Sequence, residues 1–112
     1  MIKFLKSLCF FILTSVAIAQ NVAPILQATG NQIYCPQTSL PIVTNMSITD
    51  PDDVGIAAMY IQISSGYVFG QDVLTLTGIH PAIISSWNAT EGKLTLSGIS
   101  GEPSYLQFKA AI

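Results

Sequence analysis

After about residue 20, hydrophobic side chains recur at every second position over most of the chain, which is the repeat of a β-strand that buries one face. One such series runs over residues 42–48 and the next over 57–63. Gly, Pro or Asn residues interrupt the pattern at intervals of roughly 8 to 12 residues, which is the spacing of short strands joined by turns. The pattern therefore predicts an all-β sandwich.

Two later segments, 74–79 and 94–99, have nearly the same sequence, with leucines on one face and hydroxyl side chains on the other. A tandem binding repeat and a pair of ordinary core strands both fit this observation. We favour core strands, because repeat architectures need about three or more units to bury a continuous core. Between the two segments, residues 83–87 form a further predicted strand with Trp87 in the core.

The end of the chain follows a different period. Tyr105, Phe108 and Ile112 are spaced for one face of a helix, and Ser104 stands where an N-cap residue is expected. The sequence therefore predicts a short C-terminal helical turn. A sandwich that ended on this turn would leave an edge strand unpaired. We expect the domain to be truncated before its last strand, which further chain or a partner strand would supply.

Residues 1–19 have the three parts of a secretory signal peptide. Lys3 and Lys6 precede an uncharged apolar stretch over 8–16, and Ala17-Ile18-Ala19 follows it. Cleavage after Ala19 is expected, which leaves one domain over residues 20–112. The uncharged run is shorter than the roughly 20 apolar residues that span a bilayer, so we expect no membrane span after cleavage. The protein is predicted to be secreted or displayed at the cell surface.

The amino-acid composition limits the classes of molecule that the protein could bind. The chain has 112 residues, 50% of them hydrophobic and only 9% charged, against roughly 25% charged residues in a typical soluble domain. Removing the signal leaves two lysines against six acidic residues, so a nucleic-acid partner is excluded. Cys35 is then the sole cysteine, and in an oxidising compartment it is buried, reactive, or paired with another chain.

The acidic motif Asp50-Pro51-Asp52-Asp53 ends one predicted strand, and a Gly-containing loop and an aromatic-bearing strand follow it. This arrangement over 48–63 resembles cadherin-like repeats. Residues 21–24 look like the start of such a repeat, and 70–74 with 90–98 are similar to its bacterial versions. The likeness is greatest to the N-terminal regions of exported surface proteins of gliding, Bacteroidetes-type bacteria. It implies a cadherin-like, immunoglobulin-like β-sandwich that serves as a structural or adhesive module beside neighbouring domains or other surface proteins.

Three carboxylates in one loop form a candidate calcium site. Calcium takes about six to eight oxygen ligands, and Asp50, Asp52 and Asp53 would supply several of them. The carbonyl oxygen of Asn21, or Asp72, would complete the shell. Asp and Pro are also strong turn formers, so a turn without an ion is the alternative.

Catalysis is not expected, because the chain has one histidine, His80, and neither a Gly-x-Ser-x-Gly elbow nor a His-Glu-x-x-His motif. Glycan recognition is the alternative function. Small β-sandwiches bind sugars through exposed aromatic side chains, and Tyr67 and Phe69 lie between two glycines from which they could project as a stacking platform. The competing interpretation is that both rings plug the open end of the sandwich.

Overall fold

A computed structural model describes residues 20–31, 33, 35 and 37–112, so the predicted signal peptide over 1–19 lies outside the described residues. The described chain forms mainly β-structure with one short helix, as the sequence predicts. In chain order the elements are β1 (Ile25–Thr29), β2 (Asn45–Thr49), β3 (Ala58–Gln62), β4 (Ile83–Asn88), β5 (Lys93–Gly98) and α1 (Tyr105–Ala111).

The strands form two antiparallel sheets. β1 pairs with β2, and the second sheet has the order β3-β5-β4 with β5 in the centre. Leu94 of β5 lies opposite Ile61 on one side and Trp87 on the other, and Leu96 lies opposite Met59. Because directly opposite residues share a face of the sheet, these alternating side chains form a continuous apolar surface.

The core lies on this apolar face of the three-stranded sheet, where helix α1 packs against it. Leu96 and Phe108 are fully buried, and Ile83 and Leu94 are nearly so. The central position of β5 explains the burial of its two leucines, since neighbouring strands flank them on both sides. Phe108 covers them from the helix, so a residue from the end of the chain completes the core.

The local sequence accounts for helix α1. The hydroxyl of Ser104 accepts the backbone N–H of Gln107, and the side chain of Gln107 accepts the backbone N–H of Ser104, which is a complete capping box. Phe108 lies three residues after Tyr105 and faces the sheet. The predicted C-terminal helical turn and its Ser104 cap are therefore confirmed. Within the described residues no helix has the length and apolar content that crossing a membrane requires.

The connection from β2 to β3 is bonded to the start of α1. The backbone N–H of Tyr105 donates to the carbonyl of Val54 (2.9 Å), and the N–H of Ile56 donates to the carbonyl of Pro103 (3.1 Å). A β-bridge joins Gly55 and Ser104 between them. A Cβ at Gly55 would lie 2.6 Å from the carbonyl oxygen of Pro103, so this approach requires glycine.

One predicted strand is absent from the ladders. Residues 74–79 have alternating burial, and Leu74 and Leu76 pack against the core, but the segment pairs with no strand of the described chain. The alternating pattern correctly predicts which side chains of this segment are buried. It does not predict a hydrogen-bonded strand, because side chains can be buried without a neighbouring strand beside the backbone. β2 is also shorter than the predicted series, because residues 42–44 precede the ladder, and β1 lacks a strong alternating pattern in the sequence.

Candidate functional site

The three aspartates that follow β2 lie together in space. Asp50, Asp52 and Asp53 each present a carboxylate oxygen, and these oxygens lie within 4.8 Å of one another. One oxygen of Asp50 accepts the backbone N–H groups of Asp52 (3.2 Å) and Asp53 (3.1 Å). Aspartate makes such turns readily, and Pro51 fixes the backbone angle between the residues, so the local sequence is sufficient to form the cluster. We refer to these three residues as the carboxylate loop.

The carboxylate loop is bonded to helix α1 through a side chain. The hydroxyl of Tyr105 donates a hydrogen bond to the second oxygen of Asp50 at 2.5 Å, across 55 residues of chain. This bond is the main reason that the pKa of Asp50 lies below its usual value of 3.8. The same bond, together with desolvation, raises the pKa of Tyr105 to about 12. Asp50 is therefore charged and Tyr105 neutral throughout the neutral pH range.

The other two carboxylates contact the beginning of the described chain. Asp52 accepts the backbone N–H of Val22 at 2.9 Å, and Asp53 accepts the side-chain amide of Asn21 at 3.4 Å. Asn21 therefore contacts the cluster through its amide nitrogen, whereas the sequence predicted its carbonyl oxygen as a ligand. The loop connects three distant parts of the chain: residues 21–22, strand β2 and helix α1.

Asp72 is held by a different loop. One of its carboxylate oxygens accepts the backbone N–H of Val68 at 2.8 Å, and the residue does not belong to the acidic cluster. It closes the turn over 68–72, in which the N–H groups of Gln71 and Asp72 donate to the carbonyl of Val68. The predicted contribution of Asp72 to the cluster is therefore not part of the observed geometry.

The carboxylate loop offers oxygen ligands of the kind that hard cations prefer, but most of these oxygens already accept hydrogen bonds. Four of its six carboxylate oxygens accept hydrogen bonds within the described chain: both of Asp50 and one each of Asp52 and Asp53. The ion pair found in the described residues, Lys93 with Glu91, lies elsewhere. Carboxylate oxygens suit calcium, so the residues fit the ion, with the remaining oxygens of Asp52 and Asp53 the most available ligands.

Tyr67 and Phe69 lie in unlike surroundings. Tyr67 is half-buried: its hydroxyl donates to the carbonyl of Ala89, and its ring meets Trp87 edge to face with centroids 6.1 Å apart. A Cβ at Gly92 would lie 2.9 Å from this ring, so the tyrosine packs directly on the backbone of the β4–β5 turn. Phe69, in contrast, is 71% exposed. The two rings do not form one platform.

A second exposed aromatic lies on the outer face of the three-stranded sheet. Tyr60 is 64% exposed, and the ammonium of Lys93 lies 5.8 Å from its ring centroid. The alternation along β3 and β5 places Tyr60 opposite Thr95, away from the core. The alternation along β3 predicts that Tyr60 lies on this outer face, but no feature of the sequence marks it as a binding residue.

An open groove of about 990 Å³ lies beside β3 and β5. Residues 38–43 and 71–77 form its walls, and the lining is apolar with scattered hydroxyl and amide groups. Asp72 is the one titratable side chain that lines it in the described chain. His80 lies apart and makes a 2.8 Å hydrogen bond with the carbonyl of Thr77, while Cys35 is exposed.

Sequence reasoning assigned Tyr105 to the apolar face of the helix and missed its contact with Asp50. No local signal marks that contact, because its two partners are 55 residues apart. The chain matches no protein-family model, no curated protein and no solved structure. The resemblance to cadherin-like repeats therefore stays a prediction.

Proposed function

We propose that this protein is a non-catalytic structural or adhesive module of an exported bacterial surface protein, built as a cadherin-like β-sandwich. The observation that carries the proposal is the carboxylate loop, which joins the start of the described chain to helix α1. A module that transmits force or fixes the position of its neighbours needs such cross-connections. The partners are neighbouring domains or other surface proteins.

The loop provides stiffness in a specific way. Val22 and Asn21 are held by Asp52 and Asp53, while Asp50 is held by Tyr105. The backbone bonds of Val54 and Ile56 continue the same connection to the residues around Ser104. A displacement of the chain near residue 21 would therefore act on helix α1 through a short series of hydrogen bonds, rather than through a free loop.

We propose that calcium binds the carboxylate loop and stiffens the module, because carboxylate oxygens are ligands that calcium prefers. An ion would neutralise the mutual repulsion of three carboxylates and add bonds between the chain start and the loop. A ligand that binds only the folded state stabilises it by about 2.7 kcal/mol when present at roughly 100 times its Kd. We therefore expect millimolar calcium to raise the melting temperature.

The test compares wild type with Asp52→Asn and Asp53→Asn, which keep the side-chain shape and remove charge. Asp72→Asn is the matched control, because Asp72 lies outside the cluster. Calcium should raise Tm in wild type and in the control, and the rise should be smaller in both loop variants. An unchanged Tm in wild type would remove calcium from the function and leave the hydrogen-bonded loop alone.

Glycan recognition is a second candidate function, favoured by the exposure of Phe69 and Tyr60. Exposed rings of this kind stack on sugar rings. Affinity electrophoresis in gels that contain polysaccharide would measure retention of wild type, Phe69→Leu and Tyr60→Leu. Loss of retention in either variant supports glycan binding, and equal migration of all three proteins in every gel counts against it. Tyr67 is a poor test residue, since its removal would disturb packing on Trp87 and Gly92.

A further inference from the structure

The peptide bond between Asp50 and Pro51 joins the two sheets of the protein. β2 ends at Thr49, and the chain then crosses through the carboxylate loop to β3. Among the six prolines of the sequence, Pro51 is the one that follows an aspartate. We propose that this bond is a self-cleavage site, at which the Asp50 carboxylate attacks its own carbonyl group, and that the native hydrogen bonds of Asp50 hold the reaction back.

The chemistry needs only water and a proton from solvent. A carboxylate oxygen of Asp50 forms a bond to the carbonyl carbon of the same residue, and the bond from that carbon to the nitrogen of Pro51 breaks. The nitrogen takes up a proton and leaves as a secondary amine. Water then opens the cyclic anhydride to give a free Asp50 C-terminus. The neighbouring carboxylate acts at a high effective concentration. The nitrogen of proline is more basic than that of other residues, so it takes up the proton and leaves more readily.

The structure explains why the folded chain would resist this reaction. One oxygen of Asp50 accepts two backbone N–H groups, and the other accepts the hydroxyl of Tyr105. An oxygen that attacks the carbonyl carbon must first give up its donors. The two backbone donors belong to the same loop, whereas Tyr105 belongs to helix α1. The docking of the helix therefore controls how freely the carboxylate moves.

Cleavage would separate the two-stranded sheet from the three-stranded sheet. One product would carry β1 and β2 and end at Asp50, and the other would begin at Pro51 and carry β3, β4, β5 and α1. The hydrogen bonds from Asn21 to Asp53 and from Val22 to Asp52 would still link the two products through the loop. Asp50 would link them as well, through the bonds that it accepts from Tyr105 and from the backbone N–H groups of Asp52 and Asp53. The proposal does not depend on calcium binding or on an adhesive function.

The experiment follows the fragment that begins at residue 51 by mass spectrometry, during incubation at about pH 4, close to the ordinary aspartate pKa. Wild type is compared in native buffer and in guanidinium chloride. Pro51→Ala removes the labile bond, and Tyr105→Phe removes one hydroxyl donor. Tyr60→Phe is the matched control, since Tyr60 is exposed and its hydroxyl is not among the donors to Asp50. Circular dichroism verifies that each variant is folded under the native condition.

We expect wild type to be cleaved more slowly in native buffer than in denaturant, and Pro51→Ala to yield no such fragment. Folded Tyr105→Phe should be cleaved about three- to tenfold faster than wild type, the ratio that one hydrogen bond of ordinary net strength gives. Tyr60→Phe should match wild type. If Tyr105→Phe does not fold, the comparison of native and denatured wild type decides the question. Equal rates in that comparison, or a wild-type rate in folded Tyr105→Phe, would overturn the proposal.

Discussion

Truncation of Phe108 to alanine tests how much the fold depends on helix α1. Phe108 is fully buried against Ile83, Leu94 and Leu96, and it is the one helix residue in the buried core. Replacing it removes an entire aromatic ring from the centre of the core and leaves a cavity that neighbouring side chains fill only in part. Such substitutions cost about 3 to 5 kcal/mol.

The total stability of a domain of this size is small, roughly 5 to 15 kcal/mol, so the expected loss is a large share of it. For a domain of about 60–100 residues each 1 kcal/mol lowers Tm by roughly 4 to 8 °C. We therefore expect Phe108→Ala to lower Tm by at least about 12 °C, and to reduce the urea midpoint with little change in slope.

Leu106→Ala is the matched control on the same helix. Leu106 is 79% exposed, so its truncation should change the free energy of unfolding by less than about 0.5 kcal/mol. Thermal and urea unfolding, followed by circular dichroism, compare both variants with wild type. A loss below about 1 kcal/mol in Phe108→Ala, or equal losses in the two variants, would refute the placement of α1 over the core.

Two further predictions concern the first residues of helix α1 and its N-cap. Ser104→Ala removes the N-cap hydroxyl and should lower the free energy of unfolding, measured in urea, by about 0.5 to 2 kcal/mol. Ser104→Asp should retain most of the stability, because aspartate is also a good N-cap residue. Equal stability of wild type and both variants would contradict the capping box. The pKa of Tyr105 is raised to about 12 by its bond to Asp50, so this bond stabilises the fold below the ordinary tyrosine pKa of 10.0 and is lost as pH rises toward 12. The pKa of Asp50 is lowered, so its contribution is present above 3.8 and is lost as pH falls through the lowered value. Stability measured against pH should fall less steeply at both ends in Tyr105→Phe than in wild type, and identical profiles would show that the bond does not form.

The sequence predicted those parts of the fold that depend on local patterns. Alternation over 57–63 and 94–99 located β3 and β5, because a strand at the core must present apolar side chains at every second position. Ser104 and Phe108 located the helix for a similar reason, since capping and helical spacing both act within one or two turns. The carboxylate loop was predictable because its three aspartates lie within four residues.

Features that depend on contacts between distant residues could not be predicted from the sequence. The pattern over 74–79 predicts a strand, yet whether a partner lies alongside is decided by the whole fold. Tyr67 is held by Trp87 and Gly92, which lie 20 or more residues further along the chain, so its half-burial has no local signal. The bond between Tyr105 and Asp50 spans 55 residues and follows from how the helix docks on the loop.

The central claim is that the carboxylate loop and helix α1 are joined by the bond between Asp50 and Tyr105. A double-mutant cycle tests it directly, with Asp50→Ala, Tyr105→Phe and the double variant compared by urea unfolding in neutral buffer. We predict that the double variant is less destabilised than the sum of the single variants, because each single change already breaks the shared hydrogen bond. Strictly additive losses would contradict the claim.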